Sequence, residues 1–296
     1  MDSLSNGIDS SLYVDDLLIC YSSDHMEGTE RKLQLTLNRV EKWANTNGFK
    51  FSESKTVAMH FCQKRALHPD PELSIYGNRI PVVNQTKFLG LTFDNKLTFK
   101  PHIHLLKTKC QRALNILKVV SNHHWGADRD TLLLLYRSLV RSKLDYGCIV
   151  YGSARKSYTD LLDPVHNQAL RICLGAFRTS PAESLCVEAM EAPLAFRREK
   201  LTLQYITRIK ANPHNPVSDA VFHPKFVDLF QARPNAIPTL GIRIIPHINR
   251  LPIDINHVSI VRSTSCPRGS YHFPKSILIF LSFRKTKPPL LSLRHI

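Results

Sequence analysis

The sequence predicts an α+β chain with short strands and one helix in its first third, helices through its middle, and an irregular basic end. Three observations carry that reading. Short β-forming runs broken by turn residues fill the region up to residue 98. From Phe99 the apolar residues recur every three or four positions, the period of helices buried on one side. After Asn212 the texture changes again, and eleven of the eighteen prolines fall in residues 213–296, so a packed core is not expected there. The expected organisation is a mixed sheet-and-helix region over 1–98, helices over 99–212, and a Pro-rich basic linker or tail of low order over 213–296.

Charge follows the same division. The chain has 40 Lys and Arg against 24 Asp and Glu, a formal net charge of +16. Residues 1–96 carry −1, residues 97–212 carry +9, and residues 213–296 carry +8. A polyanion held against the later part explains that asymmetry. A bland basic surface or an anionic membrane face gives the same count. The seven cysteines stand singly, and their odd number and spacing argue against a zinc knuckle and a complete disulfide framework. The N-terminus resembles no signal peptide, and Ser276 to Leu281 is too short to span a membrane. The expectation is an intracellular, reducing setting with no membrane partner. No Gly-x-Ser-x-Gly elbow supports hydrolase chemistry.

In chain order, the first distinctive stretch is Ser11 to Tyr21, where Asp15 and Asp16 sit between two apolar runs. Val14-Asp15-Asp16 is short enough to be a hairpin tip between strands. Two adjacent carboxylates raise each other's pKa unless a cation stands beside them, and a hard divalent metal such as Mg²⁺ resolves the conflict. Taken alone, an Asp-Asp pair is more often a solvated turn.

Asp24 to Asn47 reads as a helix. Asp24 and Glu27 make a capping pattern, Leu33, Leu37, Val40 and Ala44 form one stripe with Trp43 joining the core, and Asn47-Gly48 is a left-handed stop. Thr56 to Phe61 is a strand after a loop, and His68 to Pro71 is a loop. Gly77-Asn78 suggests a hairpin joining Leu73–Ile75 to Ile80–Val83, and Lys87 to Phe93 is a further strand pair around Gly90.

The helices beyond Phe99 show buried stripes. Leu106, Cys110, Ala113, Leu117 and Val120 line one helix, with Lys107, Lys109, Arg112 and Lys118 on its polar side. A second starts at Asp128 and carries Arg137 and Arg141 one turn apart. A third has Asp163 and Pro164 at its start and Gly175 at its end, enclosing Arg171. A fourth lies around Ala192 to Lys210. His102, His104 and Cys110, and the pair His123-His124, are incomplete as metal ligand sets and read as structural or surface residues.

Tyr13-Val14-Asp15-Asp16 between apolar strands resembles the catalytic hairpin of reverse transcriptases. Four later segments resemble the non-LTR retrotransposon (LINE, Jockey-like) branch of that family, in the family's order. They are Gly48 to Thr56 with Lys87 to Asp94, Lys143-Leu144-Asp145-Tyr146-Gly147, and Asn167 to Pro181.

The resemblance implies a partial right-hand polymerase palm over 1–98, an antiparallel sheet with its helix, followed by an α-helical thumb. By the same resemblance Asp15 and Asp16 bind Mg²⁺, Tyr13 flanks the nucleotide or primer end, and Lys55 aids the departing pyrophosphate. Phe88, Leu89 and Gly90 form a primer grip, and Lys107, Arg112, Arg137, Arg141 and Arg171 meet nucleic-acid phosphates. The implied partners are an RNA template, a DNA primer and deoxynucleoside triphosphates, and the implied compartment is the nucleus. In the family an earlier palm strand bears another metal-binding aspartate, and no such strand precedes Asp15. The expectation is therefore a piece of a reverse transcriptase that is inactive alone, or a remnant that binds nucleic acid without chemistry.

Overall fold

A computed structural model of the chain describes residues 7–23, 25–62, 69–212, 214–215, 217–224, 227–232, 238–250 and 276–285. They fall into two units: Met1–Phe88 with Asn215–Val217 and Ser265–Ile296, and Leu89–His214 with Ser218–Thr264. Helices and short antiparallel strands are mixed along the chain, as an α+β reading expects.

The first unit is built on an antiparallel sheet. Strand β1 (Asp9–Tyr13) pairs with β2 (Asp16–Ser22), and the far edge of β2 pairs with β9 (Ser276–Lys285) from Asp16↔Ser282 to Ser22↔Ser276. On its other side β9 takes both β3 (Phe49–Phe51) and β4 (Val57–His60). Helix α1 (Met26–Thr46) covers one face of the sheet. Its Leu33, Leu37, Val40 and Ala44 share a core with Leu17, Ile19, Phe51 and Ala58. Trp43 is half-buried and stacks on Phe49, ring centroids 5.9 Å apart. Gly48, at φ +71°, turns the chain out of the helix. Asp24 and His68, named for the cap and a loop, lie outside the described residues.

Strand β9 lies within the stretch expected as a linker or tail. A short continuous apolar run does not reveal by its periodicity whether it is strand or helix. Ile277 to Leu281 is such a run, and the prolines and basic residues around it hid the strand signal. Earlier in the tail, α10 (Val217–Phe222), α11 (Val227–Ala232) and α12 (Leu240–Ile248) are helical. The rest of the tail, 251–275 and 286–296, lies outside the described residues.

A second difference concerns β5 (Ser74–Ile75) and β6 (Asn78–Arg79), which turn at Tyr76-Gly77, one residue before the expected step. Both central residues take positive φ, +51° and +78°, as a type I′ turn requires. Tyr76 is held in that conformation from both ends. Its N–H donates to Glu41 Oε2 at 3.1 Å, and its hydroxyl accepts from Phe51 N–H at 3.2 Å.

The second unit is helical around one core. Strand β7 (Gln85–Phe88) ends the first unit, and β8 (Leu91–Asp94) begins the second because Leu91 packs in the helical core. Buried Asp94 accepts from Thr98 N–H, Thr98 Oγ1 and Phe99 N–H at 2.8–3.0 Å, which sets the entry to α2 (Lys100–Val120).

Helix α3 (Arg129–Tyr136) is capped by Asp128, whose carboxylate accepts from the Asp130 and Thr131 amides. It runs through a π turn at Arg137–Arg141 into α4 (Ser142–Asp145). Short α5 (Cys148–Tyr151) and α6 (Lys156–Thr159) lead to α7 (Asp163–Leu174), α8 (Ala182–Glu188) and α9 (Leu194–Lys210). Asp163 and Pro164 occupy the first two helical positions of α7, and Gly175 ends it at φ +61°. No described helix is long and apolar enough to cross a membrane.

Candidate active-site hairpin and nucleic-acid interface

Tyr13 and Asp16 pair across the β1–β2 hairpin, so Val14 and Asp15 alone form its turn. Val14 sits at φ +54° with 82% of its surface exposed. A β-branched residue in the left-handed region is an outlier of the kind found at functional turns, worth about 1–3 kcal/mol of strain. Leu17, Leu18, Ile19 and Cys20 behind the turn are buried, which fixes the register of β2 and with it the aim of the acids. Asp15 is exposed, Asp16 is half-buried, and Tyr13 is 61% exposed beside them.

Burial and the neighbouring Asp15 charge raise the Asp16 carboxyl above its ordinary range, and the positive charge of Lys55 works in the opposite direction. The structure thus brings Lys55 within electrostatic reach of Asp16. A turn closed by Thr56 N–H and Thr56 Oγ1 on Ser52 O, at 3.0 and 2.8 Å, leaves the Lys55 side chain exposed. Two hard carboxylates that repel each other are donors suited to a hard divalent cation. Among the described residues no group of three or more His, Cys, Asp or Glu side chains meets in a metal-binding arrangement. His102 is buried and neutral, with burial lowering its pKa, and its Nδ1 accepts from Thr92 N–H at 3.2 Å.

Leu89-Gly90, between β7 and β8, is a turn with φ of +44° and +82°. Phe88 before it is buried, Leu89 is half-buried and Gly90 is exposed.

The chain is similar to several retrotransposon polymerases. It is 27% identical over 212 residues to the RNA-directed DNA polymerase from mobile element jockey of Drosophila melanogaster, covering 69% of this chain and 22% of that one. It is 26% identical over 159 residues to the probable RNA-directed DNA polymerase from transposon BS of the same fly, covering 54% and 18%. The similarity to a Pol polyprotein from type-1 element R1 2 of Nasonia vitripennis is 24% over 189 residues, covering 62% and 46%. The proteins it is similar to are polymerases of non-LTR retrotransposons of the Jockey-like and R1 kinds. It spans about a fifth of the length of the two Drosophila relatives. No family model and no solved structure matches it.

The basic residues named on the helical unit divide into two groups. Lys107 is half-buried and Arg112 exposed on α2. At about 100° per residue they stand about 140° apart around the helix, so they address different sides of it.

Arg137, Arg141 and Arg171 each have a partner inside the protein. Arg137 Nε lies 2.6 Å from Glu191 Oε1, and Arg141 Nη1 lies 2.6 Å from Glu191 Oε2. Arg171 Nη2 donates to Ser180 O at 3.0 Å. Burial acts to raise the Glu191 carboxyl, but the hydrogen bonds and charges of the two arginines outweigh it and hold its pKa below the usual range. Asp145 extends the network by accepting from Arg197 Nη2 at 2.8 Å. The sequence signal was the four-residue spacing of Arg137 and Arg141, which puts two cations on one face whether the anion is internal or external. Glu191, the anion they meet, was missed because it lies fifty residues further on.

Proposed function

We propose that this chain supplies the metal-binding hairpin and a helical nucleic-acid grip of a reverse transcriptase of the non-LTR retrotransposon kind. The reaction is transfer of a nucleotide from a deoxynucleoside triphosphate to the 3′ hydroxyl of a DNA primer paired to an RNA template. In this reading the sheet of the first unit is palm-like and the helices of the second are a thumb. The observation that carries it is the pair of carboxylates presented on a strained two-residue turn, with the Lys55 charge acting on one of them.

Asp15 and Asp16 would hold Mg²⁺, with Asp15 the more accessible ligand. When bound, the ion would neutralise the acid pair and stabilise phosphate oxygens. Tyr13 flanks the nucleotide or primer end. Lys55 offers a proton or a positive charge to the departing pyrophosphate. Phe88, Leu89 and Gly90 hold the primer end, and Lys107 and Arg112 take backbone phosphates without reading sequence.

A second reading, nucleic-acid binding without chemistry, is favoured by one observation. On the side of β2 away from β1 the neighbouring strand is β9, and its sequence from Ser276 to Lys285 contains no Asp or Glu to add to the acid pair.

Primer extension with Mg²⁺, comparing the chain with Asp15→Asn, tests the two readings. Extension abolished by the substitution supports the polymerase. Salt-sensitive binding of primer–template without extension supports the binding module. Absence of both contradicts both.

A further inference from the structure

The motif Lys143-Leu144-Asp145-Tyr146-Gly147 has no role in the reading above, yet it forms the bed of the Leu89-Gly90 turn. The motif leaves α4 at Tyr146 and bends at Gly147, which has φ +67°. The Tyr146 hydroxyl donates to Leu89 O at 2.6 Å. Its ring lies so close that a Cβ added to Gly90 would stand 3.0 Å from Tyr146 Cε1. One residue on, Leu91 rests on bare backbone, because a Cβ on Gly147 would meet Leu91 Cδ2 at 2.5 Å. Tyr146 nevertheless remains 58% exposed, so it braces the turn from the solvent side and does not fill the core.

Leu89 is a bulky residue at φ +44°, a conformation that persists only where surroundings impose it. A hydrogen bond on its own carbonyl fixes the peptide plane that follows, and so fixes where the Gly90 amide points. We propose that Tyr146 is a positioning residue whose hydroxyl bond to Leu89 O sets the turn that presents the primer 3′ end. This rests on the reading of Phe88-Leu89-Gly90 as the primer-holding segment. Duplex affinity is dominated by Lys and Arg contacts to phosphate, so the hydroxyl governs the placement of the primer end and leaves total affinity unchanged.

The test uses the full chain and a primer–template duplex with a photo-crosslinking 4-thiothymidine at the primer 3′ terminus. Crosslinked peptides are mapped, and duplex affinity and thermal melting are measured in parallel. The wild-type chain is expected to crosslink within residues 85–94. Tyr146→Phe keeps the ring and removes the hydroxyl, and the crosslink yield should fall about tenfold, the weight of one hydrogen bond, at unchanged affinity and melting temperature. Gly90→Ala places a Cβ 3.0 Å from the Tyr146 ring and strains a backbone at φ +82°, so it disturbs the same turn by a separate route and should produce the same loss.

Wild-type crosslinks in 85–94 that persist undiminished in Tyr146→Phe would overturn the proposal and leave the primer-grip reading standing. A yield that falls only together with affinity or melting temperature assigns Tyr146 a purely structural role, and also overturns it. Wild-type crosslinks outside 85–94, or no duplex binding, would overturn the primer-grip reading and the proposal with it.

Discussion

The Arg141 guanidinium holds the Glu191 carboxylate through a single nitrogen, with Nη1 2.8 Å from Oε1 and 2.6 Å from Oε2. Glu191 is nearly buried, and Arg137 closes on the same carboxylate from one turn earlier. Removing one member of such a group leaves an uncompensated charge in a place of low water access. Glu191→Gln is expected to lower the stability of the helical unit by about 3 kcal/mol, read as the shift in a urea unfolding midpoint.

The two groups of basic residues should separate under mutation. Arg112→Ala is expected to weaken binding to any duplex and to reduce the slope of log affinity against log salt by about one, at unchanged thermal stability. Arg137→Ala should lower the melting temperature and leave the salt slope unchanged. A salt slope altered equally by both would place Arg137 on the phosphate-binding face after all.

His166 gives the helical unit a pH dependence. Its Nδ1 lies 2.7 Å from Tyr136 Oη and its Nε2 3.7 Å from Cys186 Sγ, all three buried. Burial lowers the imidazole pKa to about 4. The unfolded chain takes up this proton near pH 6.5 and the folded chain does not, so the unfolded state binds more protons between those values. Stability is therefore full above about pH 6.5 and declines as pH falls toward 4, by up to about 3 kcal/mol from this group. Unfolding midpoints measured across that window should show the decline, and His166→Gln should flatten it.

Val14 offers a test of the strained turn. Val14→Gly relieves the left-handed conformation and is expected to stabilise the sheet unit by about 1 kcal/mol in thermal melts. The same change loosens the turn that aims Asp15, so affinity for a divalent cation should fall. Tighter cation binding in Val14→Gly would show that the strain plays no part in the site.

Strand β9 makes a prediction that the sequence did not suggest. Ile279 pairs with Ile19 on one side and Ala58 on the other. Proline there removes a ladder donor from a strand paired on both edges. Ile279→Pro should abolish protection of the β2 amides from hydrogen exchange and leave the helical unit protected.

These cases show what could be read from the residues. The helical stripes and the acid hairpin were legible because each is a local pattern: period 3.6 in Leu106 to Leu117, and two acids between apolar runs. The β9 slot was not legible, because a ten-residue strand paired with partners more than two hundred residues earlier leaves only a short apolar run in its own sequence. The role of Arg137 and Arg141 was hidden for the same reason, since a charge does not show which anion it will meet. Val14 gave no compositional signal at all, because its conformation is imposed by the Tyr13–Asp16 pairing.

The most direct measurement is a calorimetric Mg²⁺ titration of the chain bound to primer–template, beside Asp15→Asn and Asp16→Asn. The account predicts saturable binding in the wild type that is lost in Asp15→Asn and weakened in Asp16→Asn, with duplex affinity unchanged in all three. Equal Mg²⁺ binding by the three proteins would contradict it.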